Sequence, residues 1–171
     1  LYALKGKLVF HLKDKARKME GKIRILYVDD EENNLNAFKA SFRKYYEIFT
    51  ANTPELGKAI LAENNIQIII TDQRMPGITG VEFLESIIEK YPDPMRFLLT
   101  GYTDIEALIA AVNKGQIYRY MTKPWNEDEL KMFVQQAFEV HQLREENKVL
   151  TESLLQANKQ LEFLLRQKLL S

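Results

Sequence analysis

The chain has 171 residues, 46% of them hydrophobic and 28% charged, and its 24 basic residues balance its 24 acidic ones. That suits one ordinary domain with a few tens of residues to spare; it is too apolar for a disordered chain and lacks the net charge of a strongly basic nucleic-acid binder. Cysteine is absent and only His11 and His141 represent histidine, which excludes disulfides, thiol catalysis and cysteine zinc sites and argues against a multi-histidine metal centre.

No apolar run approaches the roughly 20 residues that span a bilayer, and no signal peptide is visible. A reducing compartment, the cytoplasm, is the expected location. The first residue is Leu rather than Met, and Ser171 is an abrupt end, so a piece of a longer protein is expected.

The balanced charge conceals an asymmetry. Residues 1–22 carry Lys5, Lys7, Lys13, Lys15, Arg17, Lys18 and Lys22 against Asp14 and Glu20, a surplus of five positive charges that residues 23–171 cancel. Leu1, Leu4, Leu8 and Leu12 recur at near-helical spacing, which predicts a basic amphipathic helix or linker ending near Gly21. Connecting or packing is its plainer role; binding a membrane surface or a partner is the rarer one.

Residues 23–125 alternate between two patterns. Short β-branched, apolar runs occur at Ile23–Val28, Ile48–Thr50, Ile66–Thr71, Arg96–Thr100 and Ile117–Met121. Between them lie helical periods: Leu35, Phe38 and Phe42; then Thr53-Pro54 as a cap followed by a first-turn proline; then Leu84, Ile87, Ile88 and Tyr91; then Ile105, Leu108, Ile109 and Val112. Five strands alternating with helices predict an α/β fold with a parallel sheet covered on both faces.

From Asn126 onward the pattern is helical throughout, with no glycine or proline after Trp125. Asn126 is a candidate cap, followed by Glu127, Asp128 and Glu129, and Leu130, Phe133, Val134, Ala137 and Phe138 form a wide apolar face. The stripe then narrows to Val140, Leu143, Asn147, Leu150, Leu154, Ala157, Leu161 and Leu164, alternating a and d of a heptad with Lys168 at the next a. One helix of about 45 residues, roughly 68 Å long, is too long for so small a domain to bury. A parallel coiled-coil homodimer supplies the missing partner, and Asn147 at an a position is the kind of polar residue that fixes its register.

In an open parallel sheet, ligands gather outside the carboxyl ends of the strands. The first run delivers Asp29 and Asp30, the third Asp72, the fourth Thr100 with Gly101 after it, and the fifth Lys123 with Pro124 after it. Carboxylates without histidine suit a hard cation, Mg2+ first among them, bound with a phosphate. Asp30 and Asp72 can bind directly, Asp29 directly or through water, and a main-chain carbonyl just after Asp72 can add to the set. A carboxylate facing a phosphoryl donor can itself be the nucleophile. Lys123 supplies a point charge to a phosphate oxygen, and the Thr100 hydroxyl can donate to another.

These residues match a family. The chain resembles the receiver domain of bacterial two-component response regulators over roughly residues 23–140, with a C-terminal coiled-coil extension beyond it. The resemblance rests on Ile25-Leu26-Tyr27-Val28-Asp29-Asp30-Glu31, on Thr71-Asp72-Gln73-Arg74-Met75-Pro76-Gly77 with Gly80 following, on Leu99-Thr100-Gly101, and on Tyr120-Met121-Thr122-Lys123-Pro124. It implies a flavodoxin-like, doubly wound five-stranded sheet of order 2-1-3-4-5. It implies Asp72 as phosphoacceptor, Asp29 and Asp30 as the acidic pair holding Mg2+, the Arg74 carbonyl as a further metal ligand, and Thr100 and Lys123 as the phosphate-sensing pair. It also implies a cis bond at Lys123-Pro124, Tyr120 as the switch aromatic, and a histidine kinase as partner. The stretch from Gly115 to Tyr120 looks like that of receivers feeding modular outputs.

The expected domains are a basic helix or linker over 1–22, a receiver over 23–140 and a dimerising coiled coil over 141–171. The chain is expected to be a phosphoacceptor rather than an enzyme, with no direct nucleic-acid contact and an output domain outside it. Three rivals remain. An aspartate-nucleophile phosphatase or phosphotransferase needs Asp-x-Asp where this chain has Asp72-Gln73-Arg74, and a cap insertion that is lacking. A phosphorylation-independent dimeric scaffold has no need of the intact acidic set. A DNA-binding adaptor would rely on the basic residues 1–22 and bind in a salt-sensitive way.

Overall fold

The computed structural model describes residues 21–101, 105–114 and 116–171. The basic helix expected over 1–22 lies outside the described residues but for its last two positions, and Gly115 lies outside them too. Five strands, β1 (Arg24–Val28), β2 (Glu47–Ala51), β3 (Ile68–Asp72), β4 (Met95–Thr100) and β5 (Arg119–Thr122), alternate with α1 (Glu32–Phe42), α2 (Pro54–Glu63), α3 (Gly80–Ile88), α4 (Ile105–Asn113) and α5 (Glu127–Leu170). All neighbouring strands pair in parallel, in the order β2-β1-β3-β4-β5. This is the order that the resemblance implies.

The pleat explains the two cores, because alternate residues of a strand face opposite sides. Ile25, Tyr27, Ile68, Ile70 and Phe97 meet Leu35, Phe38 and Phe42 of α1 and Leu130, Val134 and Ala137 of α5 on one side. Leu26, Val28, Ile69 and Leu98 meet Leu61 of α2, Phe83, Leu84 and Ile87 of α3, and Leu108 and Ala111 of α4 on the other. Every residue of β3 is buried, as a central strand covered on both faces requires.

The strand limits shift where pairing differs from hydrophobicity. Ile66 is buried, but its amide donates to the Asn64 carbonyl in a turn, so the ladder of β3 begins at Ile68. Ile117 is also buried, and β5 begins at Arg119, opposite Phe97. The four periodic residues of α4 do not share one environment. Leu108 is buried, whereas Ile105 and Ile109 are 58% and 50% exposed, because the helix turns Leu108 and Ala111 to the core.

Helix starts follow local chemistry. The Thr53 side chain accepts from the Leu56 amide at 3.2 Å, and Asn126 accepts from the Glu129 amide at 3.0 Å. Thr79 and Glu82 form a reciprocal capping box at the start of α3. Just inside that start, a Cβ at Gly80 would lie 2.3 Å from the Asp72 carbonyl oxygen and 2.7 Å from Leu98 Cδ1. Only glycine lets α3 approach the end of β3 so closely.

α5 is one unbroken helix of 44 residues. Its first three turns bury Leu130, Phe133, Val134 and Ala137, and Val140 packs against the same core. Val140 therefore belongs to the receiver packing, although the heptad pattern begins on it. Beyond it, Leu143, Leu150, Leu154, Leu161 and Leu164 are all more than half exposed. Among the described residues, no helix is long and apolar enough to cross a membrane.

Gly80→Ala is expected to destabilise the fold by about 1–3 kcal/mol, since the added methyl must displace backbone rather than a flexible tip. Urea unfolding checks this, and an unchanged midpoint would refute the close approach.

Candidate functional site

The carboxyl ends of β1, β3, β4 and β5 bring together the residues singled out in the sequence. Asp29 directly follows β1 and is fully buried, Asp72 ends β3 and is 7% exposed, and Asp30 is exposed beside them. One carboxylate oxygen from each of the three lies within 4.8 Å of the others. Lys123, which follows β5, places Nζ 3.0 Å from Asp29 Oδ2 and 3.0 Å from Asp72 Oδ1. The Lys123 amide donates to the Thr100 carbonyl at 3.0 Å, and the Lys123-Pro124 peptide is cis.

Thr100 ends β4, is buried, and donates its hydroxyl to the Gly101 carbonyl at 2.7 Å. Arg74 lies in the loop after β3 with an exposed side chain. Tyr120, on β5, is 46% exposed and points away from the core that its neighbour Met121 joins.

Three residues that sequence reasoning passed over hold the site in place. The Tyr27 hydroxyl donates to Asp29 Oδ2 at 2.6 Å, and the Asn34 side-chain amide donates to the same oxygen at 3.1 Å. Tyr27 stands two residues before Asp29, hence on the same side of the strand; a phenol in an otherwise aliphatic run was the available signal. Gln73 accepts from the Val81 amide through Oε1 at 3.1 Å, while its own amide donates to the Leu99 carbonyl at 2.9 Å. It thereby ties the loop after Asp72 to the first turn of α3.

The electrostatics separate the two buried carboxylates. Burial pushes Asp29 up, but hydrogen bonds from Tyr27, the Glu31 amide and Lys123 outweigh it and hold the carboxyl below its usual range. Burial likewise pushes Asp72 up; Lys123 opposes this only in part, Asp29 adds repulsion, and Asp72 stays above the usual range. Burial pushes Lys123 down, yet its bonds to Asp72 and Asp29 prevail and raise it. Burial and the bond to Asp29 raise the Tyr27 phenol, so it remains a donor.

The donor set is all oxygen and all carboxylate, with one member open to solvent and one cation already inside. That chemistry fits a hard divalent cation such as Mg2+, held through Asp29, Asp30 and Asp72.

A profile of the response regulator receiver domain matches residues 25–135. The chain is 39% identical over 120 residues to the hydrogenase transcriptional regulatory protein HoxA of Cupriavidus necator, covering 70% of this chain and 25% of that protein. Among solved structures it is similar to the signal receiver domain of an HD domain-containing protein from Pseudomonas fluorescens, with a TM-score of 0.68, 31% identity, and coverage of 73% of this chain and 93% of that one. It is also similar to response regulator protein TrrA from Thermotoga maritima in complex with Mg2+-BeF, with a TM-score of 0.60, 34% identity, and coverage of 67% and 98%. The chain belongs to the response regulator receiver family. It spans about a quarter of the length of curated relatives such as HoxA.

Tyr27→Phe removes a charge-assisted hydrogen bond and is expected to cost about 1.5–3 kcal/mol at neutral pH. Because the folded pKa of Asp29 is depressed, its contribution is complete above the unfolded carboxylate pKa of about 3.9 and is lost as pH falls through the lower folded value. The gap between wild type and variant should therefore close on acidification. Denaturant unfolding at several pH values measures it, and a gap independent of pH would count against the bond.

Proposed function

We propose that this chain is the phosphoacceptor of a two-component relay, taking a phosphoryl group on Asp72 from a histidine kinase or a small phosphodonor. The observation that carries this reading is Lys123 Nζ at 3.0 Å from both Asp29 and Asp72, beside a third carboxylate within 4.8 Å. An Asp72 oxygen attacks phosphorus, the bond from phosphorus to the donor breaks, and the donor leaves with its electron pair. Mg2+, when bound, supplies neutralising charge to the phosphoryl oxygens, and Asp29, Asp30, Asp72 and the Arg74 carbonyl would hold it. Lys123 pairs with a phosphoryl oxygen in place of its present carboxylate contact.

Thr100 then releases the Gly101 carbonyl and donates to the phosphoryl group, and Tyr120 turns from solvent into the space vacated. This is a local charge event biasing a bistable packing. The altered surface of α4, β5 and α5 would be read through a parallel two-stranded coil formed by α5 beyond residue 140. The output domain lies outside this chain, which acts as a signalling module rather than an enzyme. The receiver spans 23–140 and the transmitting coil 141–171. The absence of cysteine and the relay chemistry both suit the cytoplasm.

Incubation with a small phosphodonor and Mg2+ is expected to add the mass of one phosphoryl group to the wild type and none to Asp72→Asn, read by intact mass. Equal labelling of the variant sinks the reading, and repeated turnover of phosphate esters would move it to a phosphatase. Mg2+ alone at about ten times its dissociation constant should stabilise the wild type by about 1.4 kcal/mol by mass action. Thermal melts of Asp30→Asn should lose most of that gain; an equal gain in the variant would remove Asp30 from the metal set.

A further inference from the structure

Just past the receiver core, two turns of α5 face two ways. On one side Lys148 Nζ is ion-paired with Asp93, in the loop between α3 and β4, and Arg144 Nη1 contacts Met95 Sδ at 3.5 Å. His141, one turn earlier on the same side, is partly buried. The loop they meet is braced from within. Buried Arg96 donates through Nη1 to the carbonyls of Pro92 at 3.1 Å and Pro94 at 3.0 Å, and through Nε to the Gln116 carbonyl at 2.8 Å. Asp93 is thus displayed from a fixed loop between two prolines.

Successive helical residues are about 100° apart, so Leu143, Asn147 and Leu150 lie roughly 120° around α5 from the stripe of His141, Arg144 and Lys148. Leu143 and Leu150 are 59% and 51% exposed. The docked stripe and the leucine stripe therefore occupy the same two turns without competing for the same face.

We propose that residues 141–150 carry two interfaces at once: the Lys148 stripe docked on its own receiver, and the Leu143–Leu150 stripe seating α5 of a second copy in parallel and in register. The two receivers then flank the start of the stalk, which begins alongside them rather than beyond them. This deepens, and rests on, the reading of α5 as a self-associating stalk. A second copy is the occupant because the surface is self-complementary. In a parallel register Asn147 meets its own counterpart, amide to amide. Val140 is already taken by the receiver core, which sets the start of the seam at Leu143.

The chain contains no cysteine, so single cysteines report on this arrangement without background. In the full chain under mild oxidation, Leu143→Cys and Leu150→Cys are expected to form disulfide-linked dimers several-fold more readily than Lys148→Cys. Identical a or d positions approach within disulfide reach in a parallel pair, whereas position 148 faces its own receiver. Linking confined to Leu154→Cys and Leu161→Cys overturns the double interface, as does linking at 148 that matches 143. No linked dimer at any of these positions overturns the parallel seam. Phosphodonor labelling of the same variants keeps the two readings apart: label without linkage counts against the seam, and linkage without label counts against the phosphoacceptor.

Discussion

The arrangement depends on one ammonium group placed between two buried carboxylates. Asp29 and Asp72 come from neighbouring parallel strands, and burying both without a cation would be strongly unfavourable. Lys123 arrives from the end of the edge strand β5, 94 residues after Asp29, and contacts both. The strand order brings these residues to one end of one sheet. A charge problem created by folding is thus only partly solved by folding, because one lysine, paired with Asp29 and Asp72, is set against a cluster of three carboxylates. The remaining negative charge is of the kind that a divalent cation would offset.

The two buried acids sit in different surroundings. Asp29 is immobilised by Tyr27, Asn34, the Glu31 amide and Lys123, and its charge is favoured. Asp72 has less support, and its charge is disfavoured by burial and by Asp29. Gly80 belongs to the same economy of space, since it lets α3 close over the Asp72 carbonyl.

Much of this was legible because strand ends and helix periods are local signals. Asp29, Asp30, Asp72, Thr100 and Lys123 each follow or close an apolar run, and all five sit at the same end of the sheet. What stayed hidden depends on three-dimensional neighbours. Tyr27 reads as ordinary core until Asp29 is seen beside it. Asn34 reads as a polar helix residue, and Gln73 as a loop residue, until their partners are in place. Ile105 and Ile109 fit the helical period of α4 yet face solvent, since periodicity identifies a face but not what covers it. Val140 satisfies both the receiver face and the heptad, and only packing assigns it to the receiver.

The most direct test uses Trp125, the chain's sole tryptophan, next to Lys123-Pro124 and packed on Phe38 and Tyr27 at 5.7 and 6.3 Å between ring centroids. Its fluorescence should therefore sense charge neutralisation at the site. Titration with Mg2+ is predicted to give a saturable change in the wild type that is largely lost in Asp30→Asn. A wild type that does not respond, or a variant that titrates identically, would contradict the claim that these strand ends form a cation-dependent phosphoacceptor site.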